Sequence, residues 1–184
     1  MTAMREAIAE HGIAGATFER VAARAEVSRG LLHYHFGTKE RLLIEVLRRD
    51  VELRTNAFDR AIAPAETVDE VVGAMLARFE DLIASEPGVF GLIVELFTAG
   101  RQHEDIRREL AAHYQRSRQN LAELLRGKER EGVLSLRFQP DAVAAYLIAA
   151  ADGIAIQMVT DPDRNHDRTL ATAVEVARHL LTND

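Results

Sequence analysis

The stretch Thr17–Leu43, TFERVAARAEVSRGLLHYHFGTKERLL, decides the architecture. It holds two short helical patterns, a tight break, and the start of a third helix. Thr17 is a good N-cap, and Phe18, Val21, Ala22 and Ala25 share one face at helical spacing. Half of that face is alanine, so a second helix can cross close by. It begins after only Glu26 and Val27. Ser28 can cap it by accepting a hydrogen bond from a free backbone N–H, while Leu31, Leu32 and Phe36 can turn inward. Two helices of about two turns each, joined by a turn of about three or four residues, make a helix-turn-helix. The second is then the recognition helix. Its outward positions, Arg29, Gly30, His33 and Tyr34, suit a major groove: a cation, a residue with no side chain to clash, and two flat rings with polar edges.

From Val27 to Leu42 the chain reads V-S-x-G-x-L-x-x-H-F-x-x-K-E-x-L, which resembles the DNA-binding signature of the TetR family of one-component repressors. The resemblance implies an all-α dimer. Its N-terminal three-helix helix-turn-helix domain would span residues 1–45, and a C-terminal helical domain for ligand binding and dimerisation would span 46–184. It places Ser28, Arg29, Gly30, His33, Tyr34 and His35 on or beside the recognition helix. Thr17 and Lys39 fall where the family contacts phosphates. Three positions depart from the pattern: Ala16 replaces a common Thr, Glu26 a common turn Gly, and His33 the usual Tyr. Where the turn requires φ > 0, Glu26 costs up to roughly 1–2 kcal/mol relative to glycine.

The formal net charge of −6 looks wrong for a DNA-binding chain until it is divided. Residues 1–49 hold 8 Lys and Arg against 6 Asp and Glu, an excess of +2, which leaves −8 for the remainder. The basic excess is local and small, so noticeable salt sensitivity with weak nonspecific affinity is expected. With 47% hydrophobic residues the 184-residue chain has ample material for buried cores. It has no cysteine, which fits a reducing cytosol, and its longest apolar run, Val143 to Ala151, is too short to span a membrane. A cytoplasmic protein without membrane partners is expected.

Around the decisive stretch, Ala3 to Glu10 forms a first helix that Gly12 ends. Gly37 breaks the recognition helix, and Thr38 caps a long helix from Lys39 to about Ile62, about 35 Å at 1.5 Å per residue. Thr67 to Glu70 reads as a capping box for a helix with Val71, Met75, Phe79, Leu82 and Ile83 on one stripe. Ser85, Pro87 and Gly88 interrupt it. A further helix ends near Gly100, and another runs from about Glu104 to Glu131. These three carry most of the aromatic and methionine side chains outside the DNA-binding segment, so the ligand cavity is expected among them. Candidate apolar lining residues are Met75, Phe79, Phe90, Ile93 and Phe97; candidate polar ones are Glu95, Arg101, His113, Tyr114 and Gln157. Few aromatic residues argue against a cage of stacked rings for flat cations.

Pro140 opens a helix rich in small residues, and a last helix precedes the C-terminus. The run P-D-x-x-A-x-x-L-x-A-x-x-D-G-I-x-x-Q, ending at Gln157, resembles the C-terminal domain of several TetR-family branches. A four-helix interface between two copies is expected. Tyr146, Leu147, Ala150, Ile154 and Met158 would contribute from the first helix, and Leu170, Val174, Ala177 and Leu181 from the last.

The sequence holds no G-x-S-x-G, P-loop, dinucleotide-binding turn, H-E-x-x-H or cysteine nucleophile, so no enzyme activity, cofactor or metal is expected. The expected partners are a double-stranded DNA operator, a small-molecule effector and a second copy of the chain. The competing reading is a helical protein-binding adaptor, which has no need of Arg29, Gly30, His33 and Tyr34 beside Thr17 and Lys39.

Overall fold

The computed structural model describes the backbone of residues 2–85 and 88–183, with side chains at 9, 13, 47, 50–56 and 88 outside the description. Among the described residues every regular element is a helix: α1 Thr2–Gly15, α2 Phe18–Arg24, α3 Arg29–Phe36, α4 Lys39–Ile62, α5 Val68–Ser85, α6 Gly88–Gly100, α7 Glu104–Arg130, α8 Pro140–Thr160 and α9 Asp167–Leu181.

Local chemistry explains most boundaries. Thr17 caps α2 by accepting from Arg20 N at 3.4 Å, and Ser28 caps α3 by accepting from Leu31 N at 3.1 Å. Thr38 does the same for Arg41 N at 3.3 Å. The box before α5 is reciprocal: Glu70 N donates to Thr67 Oγ1 at 3.2 Å, while Glu70 Oε2 accepts from Thr67 N at 3.2 Å and from Glu66 N at 2.7 Å. Pro87, read as part of the break after α5, lies outside the described residues. The first helix differs from expectation. Gly12 does leave helical geometry, at φ 67° and ψ 174°, but a further turn follows as far as Gly15. Glu26 sits at φ 54°, so this position does require the left-handed region that glycine occupies freely.

The chain forms two compact units and passes between them three times: inside α4 after Glu52, between α5 and α6 after Ser85, and inside α7 after Tyr114. The first unit combines α1 to α3 and the N-terminal part of α4 with α6 and the N-terminal part of α7. Its core joins Met4 and Ile8 of α1, Phe18 and Val21 of α2, Leu32 of α3 and Leu43 of α4 to Leu92 and Leu96 of α6. Two residues expected to face inward do not: Ala25 and Leu31 are exposed. Arg24 of α2 clamps α1 through Glu6 and Glu10, and Arg48 of α4 pairs with Glu45 and with Glu109 of α7.

The second unit contains the rest of α4, α5, the rest of α7, α8 and α9. Ile62, Val71, Leu125, Val143 and Leu181 are among its most deeply buried side chains. Lys128 and His166 are the buried polar side chains of this unit among the described residues. Lys128 is only 5% exposed; its Nζ donates to Ala63 O at 2.7 Å and Ala65 O at 2.9 Å, and it pairs with Glu131 at 2.8 Å. These carbonyls lie in the turn that follows α4, so the buried amine satisfies turn acceptors that would otherwise lack a donor.

Candidate functional site

The α2–α3 pair is a helix-turn-helix in which both helices start on a side-chain cap and the intervening turn passes through left-handed Glu26. Phe18 and Leu32 bury the shared face, while the opposite face of α3 stays open. Tyr34 is 85% exposed. Ser28, Arg29, Gly30, His33 and His35 are also exposed, as is Thr17 at the start of α2. Lys39 is half-buried at the N-terminus of α4. The eight residues expected at the nucleic-acid interface thus lie within the continuous segment formed by α2, α3 and the start of α4.

Gly30 leaves room for close approach: a Cβ built there meets nothing nearer than Ser28 Oγ at 3.8 Å. His33 behaves differently from a residue pointing into a groove. Its ring packs edge-on against Phe18, with centroids 4.6 Å apart and planes at 77°. Its Nδ1 lies 3.2 Å from the Gly37 carbonyl, and its Nε2 accepts from Arg29 Nε–H at 3.4 Å. A carbonyl only accepts and a guanidinium only donates, so a single neutral tautomer, protonated on Nδ1, satisfies both contacts. His33 therefore links the end of α3 to the Arg29 side chain.

The electrostatics of this face are lean. Arg24, Arg41 and Arg48 each face a carboxylate, and Arg20 donates to Gly15 O at 2.7 Å. Among the described residues Arg29 has the His33 ring beside it and no ion pair. The small positive excess of the N-terminal segment is thus carried in part by a cation on the recognition helix itself.

A cavity of about 680 Å³ lies in the second unit, within the range of about 300–1,000 Å³ common for small-molecule sites. Of the residues expected to bind ligand, only Met75 and Phe79 line it. Phe90, Ile93, Glu95, Phe97, Arg101, His113 and Tyr114 belong to the first unit. The physical reason is that α6 packs into the first core: Phe90 is buried, Ile93 and Tyr114 pack on that cluster, and Phe97 points outward at 63% exposure. His113 and Tyr114 also touch edge-on, with centroids 5.2 Å apart. Gln157 is exposed on α8 and its side-chain amide donates to Gly153 O at 3.4 Å.

The remaining walls come from residues expected at a dimer interface. Tyr146, Leu147, Ala150 and Ile154 of α8, and Leu170, Val174 and Ala177 of α9, all line the cavity. Met158 is half-buried beside them on α8, and Leu181 is wholly buried in the core of its own chain. The outward face of α8 carries other residues instead: Ala142, Ala149, Ile156 and Val159, with Tyr146 at its edge. Sequence reading missed Phe58, Leu121, Arg78 and Arg168 in the lining. The spacing of Leu76 and Leu82 with Met75 and Phe79 on α5 was the available signal for the cavity wall.

The helix α8 is long and apolar enough to cross a membrane, though little of it is buried within the chain. Length and composition alone also describe an interface helix, and the small residues along its outward face favour close helix approach.

Residues 1–46 match the family model of bacterial regulatory proteins of the tetR family, and residues 64–183 match the C-terminal model of BetI-type transcriptional repressors. The HTH-type transcriptional repressor SCO4008 of Streptomyces coelicolor is 31% identical over 148 residues, spanning 78% of this chain and 70% of that protein. Among solved structures, a transcriptional regulator from Rhodococcus sp. RHA1 superposes with a TM-score of 0.80 at 22% identity, covering 98% of this chain and 92% of that one. FadR from Bacillus subtilis, solved in complex with stearoyl-CoA, superposes with a TM-score of 0.72 at 17% identity, covering 98% and 94%.

Proposed function

The chain belongs to the TetR family of bacterial regulatory proteins, and from that premise we propose that it is a homodimeric, ligand-responsive repressor of transcription. The observation that carries this reading is the doubly capped α2–α3 pair, with an open α3 face around Gly30. An adaptor that binds only proteins has no use for that arrangement.

In this reading Arg29 and Tyr34 contact base edges in the major groove, with His35 beside them, and His33 holds Arg29 in place. Thr17, Ser28 and Lys39 contact phosphates, which position the helix without reading sequence. The start of α4 favours an anion there, because helix N-termini carry unsatisfied N–H groups and a partial positive charge. Two copies associate through the outward face of α8 together with α9, and present two recognition helices to half-sites about 34–36 Å apart. The N-terminal DNA-binding function is assigned to residues 1–45 and the ligand-binding and dimerising function to 46–184.

The effector occupies the cavity of the second unit. That FadR, a protein of the same fold, was solved with stearoyl-CoA supports a small-molecule effector here. Because α4 and α7 each run from one unit into the other, a change around the cavity has two continuous helices along which to act. Release of DNA requires that the effector bind the released conformation more tightly than the DNA-bound one. The protein acts in the cytoplasm, without cofactor, metal or catalytic step.

The test is fluorescence anisotropy against labelled DNA from the gene's own upstream region, with a scrambled duplex at two salt concentrations. Tight binding of the upstream duplex at dimer stoichiometry supports the reading. Absence of binding to either duplex sinks it and brings the adaptor forward.

A further inference from the structure

The cavity walls of the second unit carry a chemical bias. Phe58 of α4, Met75 and Phe79 of α5, Leu121 of α7, Ile154 of α8 and Val174 of α9 supply an apolar interior. Among the described lining residues the charged ones are Arg78 and Arg168, and no carboxylate lines the cavity. Arg78 is already paired with Asp81 at 2.7 Å. Arg168, exposed near the start of α9, has no ion pair among the described residues; its backbone carbonyl accepts from Thr172 Oγ1 at 2.8 Å, and Thr169 and Thr172 line the same cavity beside it.

We propose that the effector is an anionic amphiphile: an aliphatic body in the apolar interior, and a single carboxylate or phosphate head held by Arg168 with the hydroxyl of Thr169. The inference rests on the reading of this cavity as the effector site and adds the ligand class. Three features of the site carry it. An aliphatic chain gains from a lining of this kind, since its apolar surface is removed from water. An anionic head finds a guanidinium without an ion pair among the described residues, able to make charge-assisted hydrogen bonds. A cationic head meets Arg168 and no lining carboxylate among the described residues, so the same lining selects against quaternary ammonium compounds of equal length.

The experiment compares probes of one chain length on the intact protein: dodecanoate, dodecyl phosphate, dodecanol and dodecyltrimethylammonium, each below its micelle concentration. Binding is read by isothermal calorimetry, and DNA release by anisotropy in parallel. We expect dodecanoate or dodecyl phosphate to bind at least about tenfold more tightly than the ammonium compound; which of the two is favoured identifies the head group. Arg168→Ala should erase the advantage of the anion over dodecanol. Arg168→Glu should reverse the preference toward the ammonium compound, with circular dichroism confirming that both variants stay folded. Equal binding of all four probes, tightest binding of the ammonium compound, or an anion preference untouched by Arg168→Glu would each overturn the proposal. DNA binding without any probe is measured separately, so loss of ligand selectivity with intact operator binding refutes only this inference. Loss of operator binding with intact selectivity refutes the regulator reading instead.

Discussion

Arg29 and His33, one helical turn apart on α3, are joined by a hydrogen bond of 3.4 Å from the guanidinium Nε to the ring Nε2, and the other ring nitrogen is held by the Gly37 carbonyl at 3.2 Å. The guanidinium thus starts from a restrained position, which lowers the entropy lost when it meets a base edge. His33→Leu should keep the fold but free Arg29, reducing discrimination between operator and scrambled DNA more than it reduces affinity for scrambled DNA. Arg29→Ala should remove the discrimination itself, at about 1–3 kcal/mol for a good base contact. Competition anisotropy separates the two; unchanged discrimination in a folded, dimeric Arg29→Ala protein would show that α3 is not the reading helix. Lys39→Ala, in contrast, should weaken all sequences alike.

Stability and binding should move in opposite directions at Gly30. A Cβ there touches only Ser28 Oγ at 3.8 Å, and alanine is a better helix former by about 0.5–1 kcal/mol. Gly30→Ala is expected to raise the urea midpoint while lowering operator affinity, since the added methyl occupies space that the DNA surface needs. A variant that binds DNA as well as the parent would place the groove elsewhere on α3.

Glu26 is a strained position outside the contact set. At φ 54° a side-chain-bearing residue costs about 1–2 kcal/mol that glycine avoids, less roughly 0.5–1 kcal/mol for glycine's greater freedom in the unfolded chain. Glu26→Gly should therefore stabilise the protein by up to about 1.5 kcal/mol, measured by urea denaturation. A loss of stability would mean that the turn relaxes to negative φ in solution.

Lys128 tests the second core. Replacing it with Met leaves the Ala63 and Ala65 carbonyls without their donor, at about 1–3 kcal/mol for each group that stays buried and unsatisfied. Thermal unfolding should shift down by several degrees, with operator sequence preference retained if dimers persist. An unchanged midpoint would show that water replaces the amine without cost.

Glu10 supplies an acid-sensitive clamp. Its hydrogen bond from Arg24 holds the carboxyl below its ordinary value of 4.5, so the folded state favours the ionised form. A depressed carboxylate contributes stability that is present above the unfolded value and lost as pH falls through the folded one. Below pH 4.5 the α1–α2 clamp should weaken, and Glu10→Gln should flatten that part of the pH profile while lowering stability slightly at pH 7. Identical profiles for parent and variant would remove Arg24–Glu10 as a contributor.

The helix-turn-helix and the element order were legible because their signals are local. Thr17, Ser28 and Thr38 each cap a helix within three residues along the chain, Gly37 breaks one, and Thr67 with Glu70 announces another. Such contacts depend on neighbours that the sequence places side by side. The Glu26 conformation was legible for the same reason, as a turn residue standing where glycine is common.

The cavity of the second unit and the faces of α6 and α8 were decided by tertiary structure alone. Both helices are apolar nearly all round, so periodicity does not say which side meets which core. For α6 the partner is the first core, through Leu92 and Leu96, which takes Phe90 and Ile93 away from the cavity. In α8 the larger residues Leu147 and Ile154 turn inward to line it, and alanines with Ile156 and Val159 are left outside. Arg168 acquires its place beside Met75 and Phe79 only when α9 packs against α5, a contact between segments about ninety residues apart that short-range pattern cannot encode.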